Sequence, residues 1–596
     1  MRESISRVDA GTKATGHASY IDDLEFPGML YGAVVRSPHP HAEITGIFVE
    51  EAGQSEGVAG VLTAEDIPGI TAQPLERPIL AGDRVRCIGD GVAIVVADTL
   101  EHARVARSKV RIDYTVLPAV FEPEEALSDE APVIHGSSNL AGTHKVRKGD
   151  IEEGFRSADV VVEHRLTTRR VQAMALEPEA SIAVPSENGI TVYNPCKSPF
   201  NVRRVVAETL GLPVNRIRLI QSVMGGSFGV KDYDMSVLAS RAALIAHTFG
   251  RSAKIIYSRE ESVEEGTKRH AYRMDYKIGA TRDGELTAMQ IDILSDAGAY
   301  KSKSLMVGWR SAVEAAGPYR IPHVRTDVSI VYTNQVYSDA MRGFGSPQVD
   351  FACEVMMDEL AEKLEMDPLD LRKKNALVDG DTNATGQEME NVTIRSCLDE
   401  LERRIDFPNT RESIERFNAV HWRRRVRGLG IAALHRGEAL GAGGEGIDTA
   451  GATCHVEKDG SVKIYSGISE MGQGSHSMMV RVASTILGIP SSRFIVSRVD
   501  TDYVPDSGPT VASRGTVLAG NAARLAAEEV RGKLAESAAA ALEADPSELR
   551  FEEGLVRVEG DSSRSMTFEE AVKLRYSQSL NVYGTGWWSA PKVTWD

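Results

Sequence analysis

The sequence predicts an α+β protein of several domains. Three observations carry that reading: the length, short apolar strands interleaved with helical patterns, and a weak internal repeat. At 596 residues the chain is several times the length of an ordinary domain of ~150 residues. With 42% apolar and 26% charged residues, 53 glycines and 24 prolines, the composition is that of a soluble globular protein rich in turns. A formal net charge of −17 opposes attraction to a phosphate backbone or an anionic lipid surface, so neither nucleic acid nor membrane is an expected partner. The start lacks a basic region followed by an apolar one, and no window approaches ~18 consecutive apolar residues, so a cytoplasmic protein is expected. The five cysteines, Cys87, Cys196, Cys353, Cys397 and Cys454, are scattered singly. That fits neither a disulfide framework nor zinc spacing nor the grouped thiolates of a 2Fe-2S cluster, and suggests mostly buried apolar thiols.

The elements follow in order. Tyr31 to Val35, Val92 to Val96 and Val110 to Tyr114 read as strands, with a helix starting near Thr99, which makes a small N-terminal domain over 1–125. Phe121 to Ser138 reads as an acidic linker, and a second domain begins near Gly149. The repeat comes next. Val206-Ala-Glu-Thr-Leu-Gly-Leu-Pro213 precedes Arg216-Ile-Arg-Leu-Ile220, and Val482-Ala-Ser-Thr-Ile-Leu-Gly-Ile-Pro490 precedes Arg493-Phe-Ile-Val496. Both spell helix, glycine stop, proline, strand, since glycine accepts the left-handed C′ conformation and proline blocks continuation. Each strand then enters a polar loop, Met224 to Lys231 in one copy and Asp500 to Gly515 in the other. Two related halves are therefore expected to present loops to one site. Between them, Val349 to Leu364 shows apolar residues at helical spacing (Phe351, Val355, Leu360, Leu364), while Arg259 to Ser262 and Arg372 to Asn375 read as solvated polar faces.

Four segments combine glycine with a functional side chain: Met224-Gly-Gly-Ser-Phe-Gly229, Arg342-Gly-Phe-Gly-Ser-Pro-Gln348, Glu470-Met-Gly-Gln-Gly474 and Thr510-Val-Ala-Ser-Arg-Gly-Thr516. Glycine lets the backbone approach a ligand and frees N–H groups to face it. None of the four is a P-loop or a dinucleotide-binding fingerprint, which argues against ordinary nucleotide binding.

Taken together and in this order, with Gly16-x-Ala-x-Tyr20, Val85-Arg-Cys-Ile-Gly89, Leu117-Pro-Ala119, Glu177-Pro178, Ala315-Ala-Gly-Pro-Tyr319, Asp367-Pro-Leu369 and Asn521-Ala522, the segments resemble the molybdopterin-binding large subunit of the xanthine dehydrogenase/aldehyde oxidase family. The resemblance covers nearly the whole length. It implies an α/β hammerhead-like domain over 1–125, one molybdopterin-binding domain over 145–385 and a second, incomplete, over 395–596. It also implies a molybdenum-dependent oxidoreductase that hydroxylates an N-heteroaromatic (purine-like) or aldehyde substrate with water as oxygen donor. The implied cofactor is molybdopterin, as the cytosine dinucleotide, with molybdenum. Electrons would leave for a 2Fe-2S small subunit and an FAD medium subunit in a dimer of heterotrimers.

By the same resemblance, Gly225, Gly226 and Phe228 face the pterin and metal, and Arg342 lies by the cofactor with Phe344 stacking on substrate. Met471, Gly472 and Gln473 hold the pterin and its phosphate, and Ala512, Ser513 and Arg514 lie against the metal and the dinucleotide tail. Where many relatives carry a glutamine on a metal oxo group, this chain has Lys197, which either donates to the same oxygen or points to solvent. Asp232 and Arg310 stand where purine-oxidising members carry a substrate-binding acid and arginine. The alternative for both is a surface salt bridge. Gly343 follows Arg342 where carbon monoxide dehydrogenases have a copper-binding cysteine, which disfavours that activity. The loop His435 to Gly444 replaces the pair that sandwiches purines. The family's proton-abstracting glutamate has no counterpart before Asp596, so the base is expected beyond it, and the alternative is a cofactor-binding fragment that needs a separate C-terminal half.

Overall fold

A computed structural model of the chain describes residues 6–70, 77–439 and 447–591. The N-terminal strands lie at Leu30–Arg36, Gly91–Ala97 and Arg111–Val116, and the helix between the last two at Leu100–Arg107. Thr99 sets its start, because its side chain accepts from the His102 N–H. Gly91–Ala97 is buried at every residue. It pairs with Leu30–Arg36 on one side and Val58–Leu62 on the other, so its apolar run is unbroken rather than alternating.

The chain forms two compact units, each built from separated stretches. The first comprises Met1–Leu117, Ala173–Gly266 and Gly437–Val593, and the second is built mainly of Pro118–Gln172 and Thr267–Arg436. The repeat lies in the first unit and extends further than its punctuation. In one copy a hairpin of Ala180–Ser186 and Gly189–Asn194 leads into the helix Pro199–Leu210. Gly211 follows at φ +62°, then a one-turn helix Val214–Arg216 and the strand Ile217–Gln221, parallel to the second hairpin strand. In the other, the hairpin Thr449–Val456 and Val462–Ser466 leads into Ser475–Leu487. Gly488 follows at φ +64°, then Ser491–Arg493 and the parallel strand Phe494–Val496. Each copy closes with a long helix, Tyr233–Phe249 or Gly520–Leu542, and a strand antiparallel to the first hairpin strand, Ala253–Ile256 or Tyr583–Ser589. The copies meet at an antiparallel bridge between Ile220 and Asp500. There the Gln221 N–H donates to the Val499 carbonyl at 2.8 Å, and Arg218 pairs with Asp500 at 2.5 Å.

The second unit holds a five-stranded sheet in the order Leu140–Lys148, His323–Tyr332, Leu286–Gly298, Tyr272–Ala280, Val160–Thr168. The helix Ser346–Lys363 packs on it through Val349, Met356 and Leu360. Phe351, expected on that packing face, is 45% exposed. Its neighbours Ala352 and Cys353 take the buried positions instead.

Two expectations of solvated polar faces are corrected. Arg372 is fully buried, with its Nε on Glu354 Oε2 at 2.8 Å, and the buried Asn375 amide donates to the Gly284 carbonyl at 2.8 Å. The helix Pro368–Asn375 turns both inward, where an arginine is tolerated because a carboxylate meets it. In the other segment Ser262 is buried, while Arg259 donates to the Leu176 carbonyl at 3.1 Å. Four cysteines are buried as expected, and Cys397 is exposed.

Candidate cofactor and substrate site

Three of the four glycine loops meet in the first unit, and Lys197 is the knot. Its Nζ lies 3.2 Å from Asp232 Oδ2, at the end of the first loop, and its carbonyl accepts from the Thr510 N–H of the last loop at 2.9 Å. The solvent-facing alternative does not hold for either side chain. Lys197 does not point to solvent, and Asp232 forms no surface salt bridge. The lysine and aspartate side chains are 4% and 2% exposed and pair with each other. The second Asp232 oxygen accepts from the Ser198 hydroxyl at 2.6 Å. The middle loop joins through Ser469, whose N–H donates to Thr510 Oγ1 at 2.7 Å, and through Gln221, whose amide donates to the Glu470 carbonyl at 3.1 Å.

In the first loop Glu177 acts as a pin. Its Oε2 accepts from the Gly225 N–H at 2.8 Å and from Lys231 Nζ at 2.5 Å. A Cβ at Gly225 would lie 2.4 Å from that of Glu177, so only glycine lets the turn sit this close. Burial pushes the Lys231 ammonium down, and the Glu177 carboxylate opposes the shift. Phe228 takes a left-handed φ of +53° with 47% of its surface exposed.

The middle loop is closed around its own acid. Glu470 Oε1 accepts from the N–H groups of Gly472 at 2.7 Å and Gly474 at 3.0 Å, and Oε2 from that of His476 at 3.1 Å. Burial alone would raise the carboxyl, but the N–H groups of Gly474, His476 and Gly472 outweigh it and hold it below its ordinary range. Gln473 also turns inward: its oxygen accepts from the Met471 N–H at 2.7 Å and its nitrogen donates to the Ser469 carbonyl at 2.9 Å. The resemblance gave Met471, Gly472 and Gln473 to a ligand, yet the Met471 and Gly472 amides and the Gln473 side chain are engaged within the loop.

In the last loop Ala512 and Ser513 both adopt φ +56°. The chain then enters a π-helix, Gly515–Ala519, before Gly520–Leu542. Arg514 is fully buried and gives its donors to the carbonyls of Ile447, Thr449, Ser507 and Pro509, with Nε on Pro509 at 3.0 Å and Nη2 on Ser507 at 2.6 Å. Burial pulls the guanidinium down to about 10. With these carbonyls around it, the Arg514 side chain fixes the loop from behind. The three left-handed non-glycine residues, Phe228, Ala512 and Ser513, each cost about 1–2 kcal/mol, the kind of strain that collects at ligand-contacting turns.

In the second unit Phe344 shows the same signature, φ +53° between Gly343 at +96° and Gly345 at +101°. Arg342 is exposed, and its carbonyl accepts from Arg269 at 2.7 Å. Arg310, the other candidate for a surface salt bridge, is buried and pairs with Glu314 at 3.0 Å. Of the loop from His435 to Gly444, residues 435–439 are described and Leu440 to Gly444 lie outside the described residues.

Comparison with known proteins gives the family. Two matches to a molybdopterin cofactor-binding domain span residues 134–376 and 400–596, and a match to the aldehyde oxidase and xanthine dehydrogenase a/b hammerhead domain spans 15–118. The chain is 32% identical to the xanthine dehydrogenase molybdenum-binding subunit of Escherichia coli O157:H7, over 95% of this chain and 76% of that protein. It is 39% identical to the nicotinate dehydrogenase large molybdopterin subunit of Eubacterium barkeri, over 65% of this chain and 91% of that protein. Its fold matches quinoline 2-oxidoreductase from Pseudomonas putida 86 with a TM-score of 0.89 at 25% identity, over 99% of this chain and 79% of that one. A hammerhead domain followed by two cofactor-binding domains, with glycine loops knotted together, is the large subunit of a molybdenum oxidoreductase. The chain belongs to the xanthine dehydrogenase/aldehyde oxidase family, as its molybdopterin-binding subunit.

The residues of the first loop fit such a cofactor. The buried Ser227 Oγ and Ser222 Oγ and the Glu177 Oε1 have no hydrogen-bond partner among the described residues, and a pterin edge carries donors and acceptors able to meet them. Sequence reasoning missed Glu177 as a member of the site. It lies far from Gly225 along the chain, and only the family dipeptide Glu177-Pro178 pointed to it.

Proposed function

We propose that this subunit binds molybdopterin, as the cytosine dinucleotide, and oxidises an N-heteroaromatic, purine-like substrate in preference to an aldehyde, with water as oxygen donor. Electrons pass to a 2Fe-2S small subunit and an FAD medium subunit in a dimer of heterotrimers in the cytoplasm. The observation that carries the reading is the union of three glycine loops through Lys197, beside buried polar atoms that lack partners among the described residues. Two relatives bear the names of N-heteroaromatic substrates, nicotinate and quinoline, which favours that class. When bound, the molybdenum cofactor supplies a two-electron redox centre and a Lewis acid.

The chain's own residues then have distinct tasks. With the cofactor bound, Gly225 and Gly226 would let the backbone approach the pterin, Ser227 would hydrogen-bond to it, and Phe228 would shield the metal. Met471, Gly472 and Gln473 form a rigid rim whose shape Glu470 fixes. Ala512 and Ser513 line the far side, with Arg514 bracing them. Lys197 and Asp232 act as a pair that locks the loops in register, and Phe344 offers a flat face for the ring, with Arg342 beside it. Neither Asp232 nor Glu470 serves as the proton-abstracting base, because each is already committed to local hydrogen bonds. Molybdenum and pterin analysis of purified protein, followed by turnover of pyridines, purines and aldehydes with a dye acceptor, tests the reading. Stoichiometric cofactor with turnover of heteroaromatics is expected, and turnover confined to aldehydes would refute the substrate class.

A further inference from the structure

The middle glycine loop is gripped from outside by a segment that precedes it by more than 460 residues. Arg7 Nη1 donates to the Gly472 carbonyl at 2.6 Å, and Nη2 lies 3.5 Å from Glu470 Oε1, the oxygen that also accepts from the Gly472 and Gly474 N–H groups. The guanidinium is itself fixed by Asp9, which accepts from Nε at 2.9 Å and from Nη2 at 3.0 Å. Lys13 Nζ meets the same carboxylate at 2.6 Å. One residue after Arg7, the Val8 N–H donates to Ser477 Oγ at 3.1 Å, in the first turn of the helix Ser475–Leu487. Both sides of this contact belong to the first unit.

The grip acts where the loop is least restrained by its own sequence. Gly472 and Gly474 stand at φ +110° and +91°, and a Cβ at Gly472 would meet nothing within 4 Å. Neither a side-chain preference nor packing against the Cα therefore fixes that peptide. From within the loop, Glu470 takes the Gly472 N–H and Gln473 takes that of Met471. The Gly472 carbonyl, among the described residues, is met by Arg7. A charge-assisted bond of this length sets the peptide plane, and the two-point hold of Asp9 orders the guanidinium in advance, so that little freedom remains to be lost. The Arg7 side chain is 40% exposed and that of Glu470 10%. The grip can thus open by a local motion that leaves the core folded.

We propose that Arg7 is a positioning residue for the cofactor: it locks the Gly472 peptide in the shape that retains molybdopterin, and Asp9 aligns it for that task. The inference rests on the reading of Met471, Gly472 and Gln473 as a rim of the cofactor site. Two measurements on the full chain test it. Hydrogen exchange of the amides of residues 470–476, on protein isolated without cofactor, reads the order of the loop. Loss of molybdenum and pterin from loaded protein during dialysis reads retention. Arg7→Gln is expected to speed both by ~10-fold, with exchange in the helix Gly520–Leu542 unchanged. Arg7→Lys should keep part of the retention, since an ammonium still reaches a carbonyl but cannot be held at two points by Asp9. Asp9→Asn, which leaves the guanidinium in place but loosens its alignment, should speed both by ~3-fold, and it serves alone should Arg7→Gln not fold. Unchanged exchange at residues 470–476 overturns the proposal, as does faster exchange spread evenly over the chain. Faster exchange there with unchanged loss of cofactor also overturns it, and shows separately that the reading of this loop as a cofactor rim has failed.

Discussion

Asp350 illustrates how a single half-buried group makes stability depend on pH. Burial and the Glu314 carboxylate push it up to about 7 from an ordinary 3.8, with Arg436 opposing. The folded protein thus binds this proton more tightly than the unfolded chain. The group's contribution is complete below about pH 4 and is lost as pH rises to about 7. At ~1.4 kcal/mol per unit the contribution is at most about 4 kcal/mol, and residual solvent access reduces it. Asp350→Asn cannot ionise, so its melting temperature should exceed that of the wild type at pH 8 and approach it at pH 4. Parallel curves across that range would contradict the assignment. At this scale the sequence names the loops but not their internal bonds. Met471, Gly472 and Gln473 are legible as a glycine loop, but that Glu470 and Gln473 engage its amides depends on backbone turns that no spacing reveals. Lys197 and Asp232 each stand out on their own. Their pairing is tertiary, made where the strand end at Asn194 and the helix Tyr233–Phe249 approach.

At the scale of elements, the most legible feature is the helix, glycine, proline, strand punctuation, because it rests on backbone chemistry rather than on packing. Gly211 and Gly488 both occupy the left-handed cap, at φ +62° and +64°. Their surroundings differ. A Cβ at Gly211 meets nothing nearer than the Pro68 carbonyl oxygen at 3.6 Å, whereas one at Gly488 would lie 2.2 Å from the Phe551 carbonyl oxygen. Gly211→Ala should therefore cost only the conformational penalty of about 1 kcal/mol. Gly488→Ala should cost several times as much, because a backbone carbonyl must move as well. Thermal unfolding of the two variants measures the difference, and equal losses would mean that the turn at Phe551 yields freely. The full repeat of hairpin, helix, strand, helix and strand is not legible. The second copy separates its last helix and strand by an inserted three-stranded sheet, Leu549–Glu552, Leu555–Val558 and Asp561–Thr567, and a helix, Phe568–Ser577, which hides the correspondence. Arg372 and Asn375 escape the sequence for a related reason. On a short helix, charge pattern alone does not say which face another helix will cover.

At the scale of the molecule, an apolar strand pattern announces an N-terminal domain but not its partners. Leu30–Arg36 pairs with Gly91–Ala97 on one side and with Ala253–Ile256 on the other, inside one seven-stranded sheet. A protein ending at residue 125 would leave that edge open, with Leu30, Val34 and Ile94 deprived of the residues that bury them, among them Ile245 and Ile255. Such a fragment is expected to aggregate or to bind a hydrophobic dye strongly, whereas one reaching residue 266 should retain more of the sheet. A soluble, cooperatively melting 1–125 fragment would contradict this. The same pairing sets a clock during synthesis. The partner of Leu30 lies more than 200 residues later, and a ribosome adds ~5–20 residues per second, so the first strand waits about 10–45 seconds for its neighbour. Until then the nascent edge is an apolar strand without a companion, which makes the early chain a client for chaperones well before any cofactor is loaded.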